Sequence, residues 1–433
     1  MKHIATSLLV ISVILRVEAS KRFSKEWTAP INPEPVTFPS GKRSLAYHAN
    51  WDTYNDYQVA DLPIQVLTDV NYAFYTIGNK TAGILSEVPV SIDPYSDFQQ
   101  VFNSSNEHNP KSVYPDTADQ AYFGNFGQLM KLKRHHKYNL GLSVGGWNGS
   151  KYFSSAVANA NQFVEGIMDV LKGFPGLFNR IDIDWEYLQN TNVDNFGPGN
   201  QASPQDPANF ATFLKLLRTR LDKAGYTHFE ISATVPANPA VIAPLPFKAM
   251  IKYLNFFNIM TYDFQSSAWG NTISGPQSNI YSVEPYAHFS VDLAVKTYLS
   301  YGVPAHKINI GVPMYSDING NTTALNSTES GSGSDLYKTV CPSGQCDYNT
   351  LPWKNSTEYW DSASKATYAI DPFTKDMLTY DSVYSVLEKC YYVWDHGLAG
   401  MFAWRASQDV RDPTSKRSLM SAMHACLAKD PRV

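Results

Sequence analysis

What this sequence has little of narrows its function first. Charged residues make up 17% of its 433 positions, the formal net charge is −4, and no Lys/Arg-rich block interrupts the chain. Binding to nucleic acid or to an anionic membrane through charge needs such a patch, so neither partner is expected. Cysteine is scarce, at four residues, and histidines do not gather near them. The spacing fits no zinc site, and no metal is expected. No G-x-G-x-x-G follows the first β-rich run, so a dinucleotide is not expected either, and no cofactor is called for. Beyond the N-terminus no segment is long and apolar enough to span a bilayer.

What is present begins with that N-terminus. Lys2 and His3 precede a mostly apolar stretch, Ile4 to Leu15, followed by Val17-Glu18-Ala19. A basic start, a short apolar run and small residues at −3 and −1 describe a signal peptide over residues 1–19, cut after Ala19. The mature chain is therefore expected to be secreted, extracellular and monomeric. Sequons at Asn79, Asn103, Asn148, Asn321, Asn326 and Asn355 permit glycosylation. In an oxidising compartment four cysteines favour disulfides, and three pairings are formally possible. Cys341 and Cys346 bracket Pro-Ser-Gly-Gln, which can close a small local loop and would leave Cys390 and Cys426 to each other. Aromatic residues reach 13%, with 27 Tyr and 9 Trp. Most belong in the core, but the surplus suits a site that stacks flat, weakly polar ligands such as sugar rings.

Along the chain, eight short β-rich runs alternate with stretches that read as helix. The runs are Ser44–Asn50, Val66–Tyr75, Tyr138–Gly145, Leu177–Tyr187, Phe229–Val235, Phe256–Tyr262, Lys307–Tyr315 and Gly397–Trp404. Between several of them lie amphipathic segments, Asn125–His136, Ala160–Gly173, Pro207–Gly225 and Ser290–Gly302. In the third, Phe210, Phe213, Leu214, Leu217 and Leu221 recur at helical spacing, giving one buried face. Such alternation implies crossovers and a parallel sheet, and eight units over this length indicate a closed α/β barrel of the (β/α)8, or TIM, type. Two connections are long. Thr76 to about Gln120 reads as an elaborated loop. Residues 316–389 read as a small α+β insertion between strands seven and eight, with Thr367–Ile370 and Met377–Tyr380 as antiparallel strands. The barrel proper then comprises 20–315 and 390–433.

The sharpest feature is Ile181-Asp182-Ile183-Asp184-Trp185-Glu186-Tyr187. In a strand successive side chains alternate, so the three acids share one face and Ile181, Ile183, Trp185 and Tyr187 the other. The apolar face can pack on helices, which sends the acids into the barrel with Glu186 nearest the C-terminal rim. Three acids in a column raise one another's pKa, which can keep a proton on Glu186 at working pH, as a general acid requires. A solvent-exposed acidic strand and a metal-holding cluster are the alternatives. Asp263 could add an oxygen ligand, but no histidine lies at a nearby strand end.

The segment resembles the D-x-D-x-E signature of the glycoside hydrolase family 18 chitinases, and other motifs agree in order. Ser143-Val144-Gly145-Gly146-Trp147 is similar to the family's S-x-G-G strand, Met260-Thr261-Tyr262-Asp263 to M-x-Y-D, and Gly311-Val312-Pro313-Met314-Tyr315 to G-x-P-x-Y. Gly400-Met401-Phe402-Ala403-Trp404 is similar to the last strand, and Tyr47, Trp51 and Ala73-Phe74 also fit. The resemblance runs from about Arg43 to Leu427, and the insertion resembles that of the deep-groove members. It implies a chitinase acting on chitin or chito-oligosaccharides, and it assigns roles. Glu186 would protonate the glycosidic oxygen, Asp184 would orient the substrate's acetamido group, Asp182 would share a proton with Asp184, and Tyr262 would hold the acetamido oxygen. Trp404 would floor the −1 sugar. Tyr47, Phe74, Trp147, Met260, Asp263, Trp269 and Tyr315 would complete the substrate-binding set. An N-glycan endo-β-N-acetylglucosaminidase and a non-catalytic chitin-binding lectin of the same fold are the competing readings. The chain departs from the family at Asn179-Arg180, where Asp-Gly is usual, at Leu188 for Pro, and at Asp317 for Arg.

Overall fold

The computed structural model describes residues 33–433 except 79–86, 103–113, 118–119, 121, 190–199, 266–270, 330, 332, 342 and 352–355. The expected signal peptide, the sequons at Asn79, Asn103 and Asn355, and Trp269 lie outside the described residues.

Each of the eight β-rich runs overlaps a strand. These are β1 (Arg43–Ala49), β2 (Asp69–Ile77), β4 (Asn139–Gly145), β5 (Arg180–Asp184), β6 (Glu230–Val235), β7 (Phe256–Ile259), β8 (Ile308–Pro313) and β14 (Gly400–Trp404), with β3 (Pro89–Ser91) an antiparallel appendage on β2. Pairing runs β1-β14-β8-β7-β6-β5-β4-β2, all parallel, and β1 pairs with β2 to close the barrel. Helices Gly124–His135, Ala160–Gly173, Asp206–Lys223 and Val291–Ser300 occupy the amphipathic segments. Ser290 starts the last of them by accepting the Leu293 N–H at 3.0 Å. Outward strand residues such as Ile181 and Ile183 meet helix residues such as Phe163, Phe213 and Leu217 in one large apolar core. The Phe163 and Phe213 rings stack there at 4.7 Å. Among the described residues no helix is long and apolar enough to cross a membrane.

Directly after β8 the chain enters a five-stranded antiparallel sheet, order β10-β9-β13-β12-β11. Its strands are β9 (Tyr315–Asn319), β10 (Gln345–Asp347), β11 (Thr357–Asp361), β12 (Ala366–Asp371) and β13 (Asp376–Tyr380). The cysteines form Cys341–Cys346, local to this insertion, and Cys390–Cys426, which ties helix Val383–Asp395 to helix Leu419–Ala428.

The N-terminal end of the barrel holds a buried charge network that accounts for Arg180. Its guanidinium donates to Asp69 at 2.5 Å, Glu230 at 3.2 Å and Asn71 at 2.7 Å. Arg43 binds Glu230 through two nitrogens, at 2.9 and 2.6 Å, and Asp69 at 2.9 Å. Two cations thus balance two carboxylates, as burial demands. Gly141 makes the room: a Cβ there would lie 2.2 Å from Asn71 Oδ1 and 3.0 Å from Arg180 Nε. Asn179 serves the same level, accepting the Leu140 N–H at 2.6 Å and donating to Asn139 at 3.0 Å.

Candidate active site

Above that base, β5 carries the acid column. Asp182 sits mid-barrel, fully buried, and five neutral groups turn toward it. They are Tyr47 Oη from β1 at 2.9 Å, Ser143 Oγ from β4 at 2.9 Å, Ser232 Oγ and Thr234 Oγ1 from β6 at 2.5 and 3.1 Å, and Asn258 Nδ2 from β7 at 3.3 Å. Asp184, one level up, reaches the cleft; among the described residues its Oδ1 is buried without a hydrogen-bond partner. Burial drives its pKa well above the usual carboxylate range, and the charges of Glu186 and Asp182 push the same way. Glu186 is pushed up to about 7, chiefly by burial. A hydrogen bond from Tyr187 and one from the Trp147 backbone N–H oppose the rise, and the charge of Asp263 adds to it.

These carboxyls open into a cleft of about 1020 Å³ at the C-terminal face of the strands. Barrel enzymes build their sites on this face. One wall is aromatic: Trp404 stacks on Phe74 at 5.5 Å, and Trp51 lies 6.1 Å beyond Phe74. Met260, Tyr262, Asp263 and Tyr315 line the side contributed by the chain after β7 and the start of β9. Tyr315 donates to Asp263 at 2.6 Å, and burial raises the Asp263 pKa to about 6 against that bond. The motif glycines act by absence. A Cβ on Gly311 would come within 2.6 Å of the Tyr262 ring, so the glycine lets that ring lie across β8. Gly146, at φ +77°, and Gly145 bring the end of β4 against Phe74 and the Asp184 carbonyl, where a Cβ would lie 2.6 and 2.0 Å away.

Of the twelve expected site residues, Glu186, Asp184, Tyr262, Phe74, Trp147, Met260, Asp263, Tyr315 and Trp404 line the cleft. Asp182 lies beneath it, as expected. Tyr47 is corrected: rather than lining the substrate cleft it is buried under the floor, hydrogen-bonded to Asp182. Tyr187 is corrected too. Alternation places it on the outer face, but β5 ends at Asp184, and beyond the last rung Tyr187 turns into the cleft beside Glu186. Trp51, Asn271, Phe289 and Gln345 also line the cleft. Trp51 has its signal in the first-strand match; the others come from long connections without a regular period.

A closed parallel barrel with a carboxyl column at its C-terminal mouth and an aromatic wall beside it has the form of a carbohydrate-cleaving enzyme. The sequence model described as "Glycosyl hydrolases family 18" matches residues 43–409, and the chain belongs to that family; it is a glycoside hydrolase. The chain is 31% identical over 399 residues to "Endochitinase 1" of Metarhizium robertsii, covering 88% of this chain and 86% of that protein. It is also 31% identical over 398 residues to "Chitinase 1" of Aphanocladium album, covering 89% and 85%. Among solved structures, the catalytic domain of psychrophilic chitinase B from Arthrobacter TAD20 superposes with a TM-score of 0.76 at 28% identity, covering 90% of this chain and 96% of that one.

Proposed function

We propose that this protein is a chitinase that hydrolyses β-1,4 bonds between N-acetylglucosamine units, with retention and with the substrate's own acetamido group as nucleophile. The observation that carries the reading is Asp184: a carboxyl in the cleft lining beside Glu186, whose buried Oδ1 has no hydrogen-bond partner among the described residues. A carboxyl at that place in the lining suits a ligand amide N–H. In the proposed reaction Glu186 gives its proton to the glycosidic oxygen and the C1–O bond breaks. The acetamido carbonyl oxygen forms a bond to C1, giving an oxazolinium ion, with Tyr262 holding that oxygen. Asp184, sharing its proton with Asp182, orients the acetamido N–H and stabilises the positive charge. Glu186, now a carboxylate, takes a proton from water as the water oxygen attacks C1, and the ring opens. This family of reactions needs no second carboxylate as nucleophile. The N-terminal pattern supports export, and action outside the cell as a monomer belongs to the same proposal.

Tyr315 and Gln345 come from the insertion and extend the cleft wall. A walled groove supports a linear polymer over a branched N-glycan. Incubation with N-acetylglucosamine hexamer beside a high-mannose glycopeptide, read by mass spectrometry, separates these substrates. Glu186→Gln should lose turnover by about 10²–10⁴-fold while still binding the hexamer. Cleavage of the glycopeptide alone would replace chitin as the substrate, and near-normal hydrolysis by Glu186→Gln would refute the assigned proton donor.

A further inference from the structure

Glu186 lies outside the strand that delivers it. The β4–β5 ladder ends at the pair Gly145 and Asp184. Beyond it Gly145 and Gly146 turn β4 away, and the last backbone bond is the Gly146 N–H to the Asp184 carbonyl at 2.8 Å. The next N–H in need of a partner is that of Glu186, and it finds a side chain: Ser150 Oγ accepts it at 2.9 Å. The same oxygen donates to the Gly146 carbonyl at 2.9 Å and lies 3.2 Å from the Asp184 carbonyl. Ser150 is fully buried. On its other side the Glu186 carbonyl accepts from the Asn200 side-chain amide.

We propose that Ser150 is a positioning residue for Glu186: its hydroxyl replaces the carbonyl that β4 no longer supplies and fixes the acid's backbone over Asp184. The inference rests on Glu186 being the proton donor. Chemistry limits what can stand there. One atom must accept from an N–H and donate to a carbonyl in a space that excludes water, and a hydroxyl does both. Alanine does neither, and it leaves a buried N–H unpaired next to the reacting carboxyl. A misplacement of about 1 Å near the chemistry costs on the order of 10²-fold in rate. The contact is to the backbone of both acid residues and to no cleft surface, so turnover should respond and substrate affinity should not.

The test compares Ser150→Ala with Ser150→Thr, which keeps the hydroxyl, and with Ser154→Ala, which loses a buried hydroxyl bonded to Asp206 at 2.8 Å away from the acids. All are made in a host that attaches no N-glycans, because Ser150→Ala also removes the Asn148 sequon. On chito-oligosaccharides, Ser150→Ala should lose about 10–100-fold in kcat with KM within about twofold. Its alkaline pH limb should move at least about half a unit toward acid as the carboxyl escapes its buried position. Ser150→Thr should recover most of both, and Ser154→Ala should change only the melting temperature. The inference is overturned if Ser150→Ala behaves like Ser154→Ala, or if a well-folded Ser150→Thr is as impaired as Ser150→Ala. Should the added methyl unfold Ser150→Thr, NMR titration of the 13C-labelled Glu186 carboxyl in Ser150→Ala decides: a displaced titration supports the role and an unchanged one removes it. A wild type inactive on chito-oligosaccharides would overturn the substrate reading instead, and the titration would still judge Ser150.

Discussion

Asp263 offers the cleanest perturbation of the proton donor. Its charge is one of the causes that raise the Glu186 pKa to about 7. It does not share the acid's strand, and asparagine can keep the bond it accepts from Tyr315 at 2.6 Å. The sign follows from the chemistry: Glu186 acts while protonated, a neighbouring anion opposes its ionisation, and removing that anion lets the proton leave at lower pH. Two unit charges on the order of 8 Å apart at an effective dielectric of ~20 interact by about 2 kcal/mol, or about 1.5 pKa units. Asp263 itself holds its proton up to about pH 6, so only part of this operates through the acidic half of the transition. Asp263→Asn should therefore lower the alkaline limb of kcat/KM by roughly one unit, from near 7 toward 6. The assay is initial rates on a soluble chito-oligosaccharide from acid to alkaline pH. At pH 5 the variant should keep a larger share of wild-type activity than at pH 7.5. A limb that stays in place, or moves up, would show that Asp263 does not act on Glu186 through charge.

Other perturbations probe how the fold tolerates its site. A carboxyl with a raised folded pKa contributes stability that is complete below its unfolded pKa and is lost as pH rises through the folded one. Asp184 has such a shift, so Asp184→Asn should raise the melting temperature by roughly a few degrees above neutral pH while impairing turnover, as differential scanning calorimetry and rates on one preparation would show. Cys390–Cys426 spans 36 residues and Cys341–Cys346 only 5. Chain-entropy arithmetic assigns about 4 and about 2 kcal/mol, so Cys390→Ser/Cys426→Ser should lower the urea midpoint more than the insertion pair does. Arg180→Met leaves Asp69 and Glu230 to share Arg43 and should cost about 3–5 kcal/mol in urea unfolding, with Glu230→Gln restoring part of it.

The barrel was legible in the sequence because both its periods are local. A strand announces itself in five or six residues and a helix in ten, and the eight alternating runs each overlap a barrel strand. The lower part of the acid column was legible for the same reason, since alternation sets the common direction of Asp182 and Asp184, while Glu186 lies beyond the last rung. Alternation also explains the failure at Tyr187, because the rule holds only while the strand stays paired and pairing stops at Asp184. Tyr47 was placed at the right height of the wrong layer: the motif gives a strand position, not the depth at which its hydroxyl finds a partner. The base network was not legible, since Arg180 meets Asp69 and Glu230 across 111 and 50 residues. Nor were Gln345 and Asn271, which reach the cleft from connections whose course no period sets.

The shell around Asp182 has a consequence for how this enzyme fails. Four other strands each lend at least one polar group to a single carboxyl, so that side chain acts as a gauge of the whole ring. Water around a free ion rearranges when one molecule departs; these hydroxyls and this amide cannot. If β1, β4, β6 or β7 loosens, the gauge trips before the outer helices separate, and on gradual heating catalysis should fade while the tryptophan fluorescence still reports a folded chain.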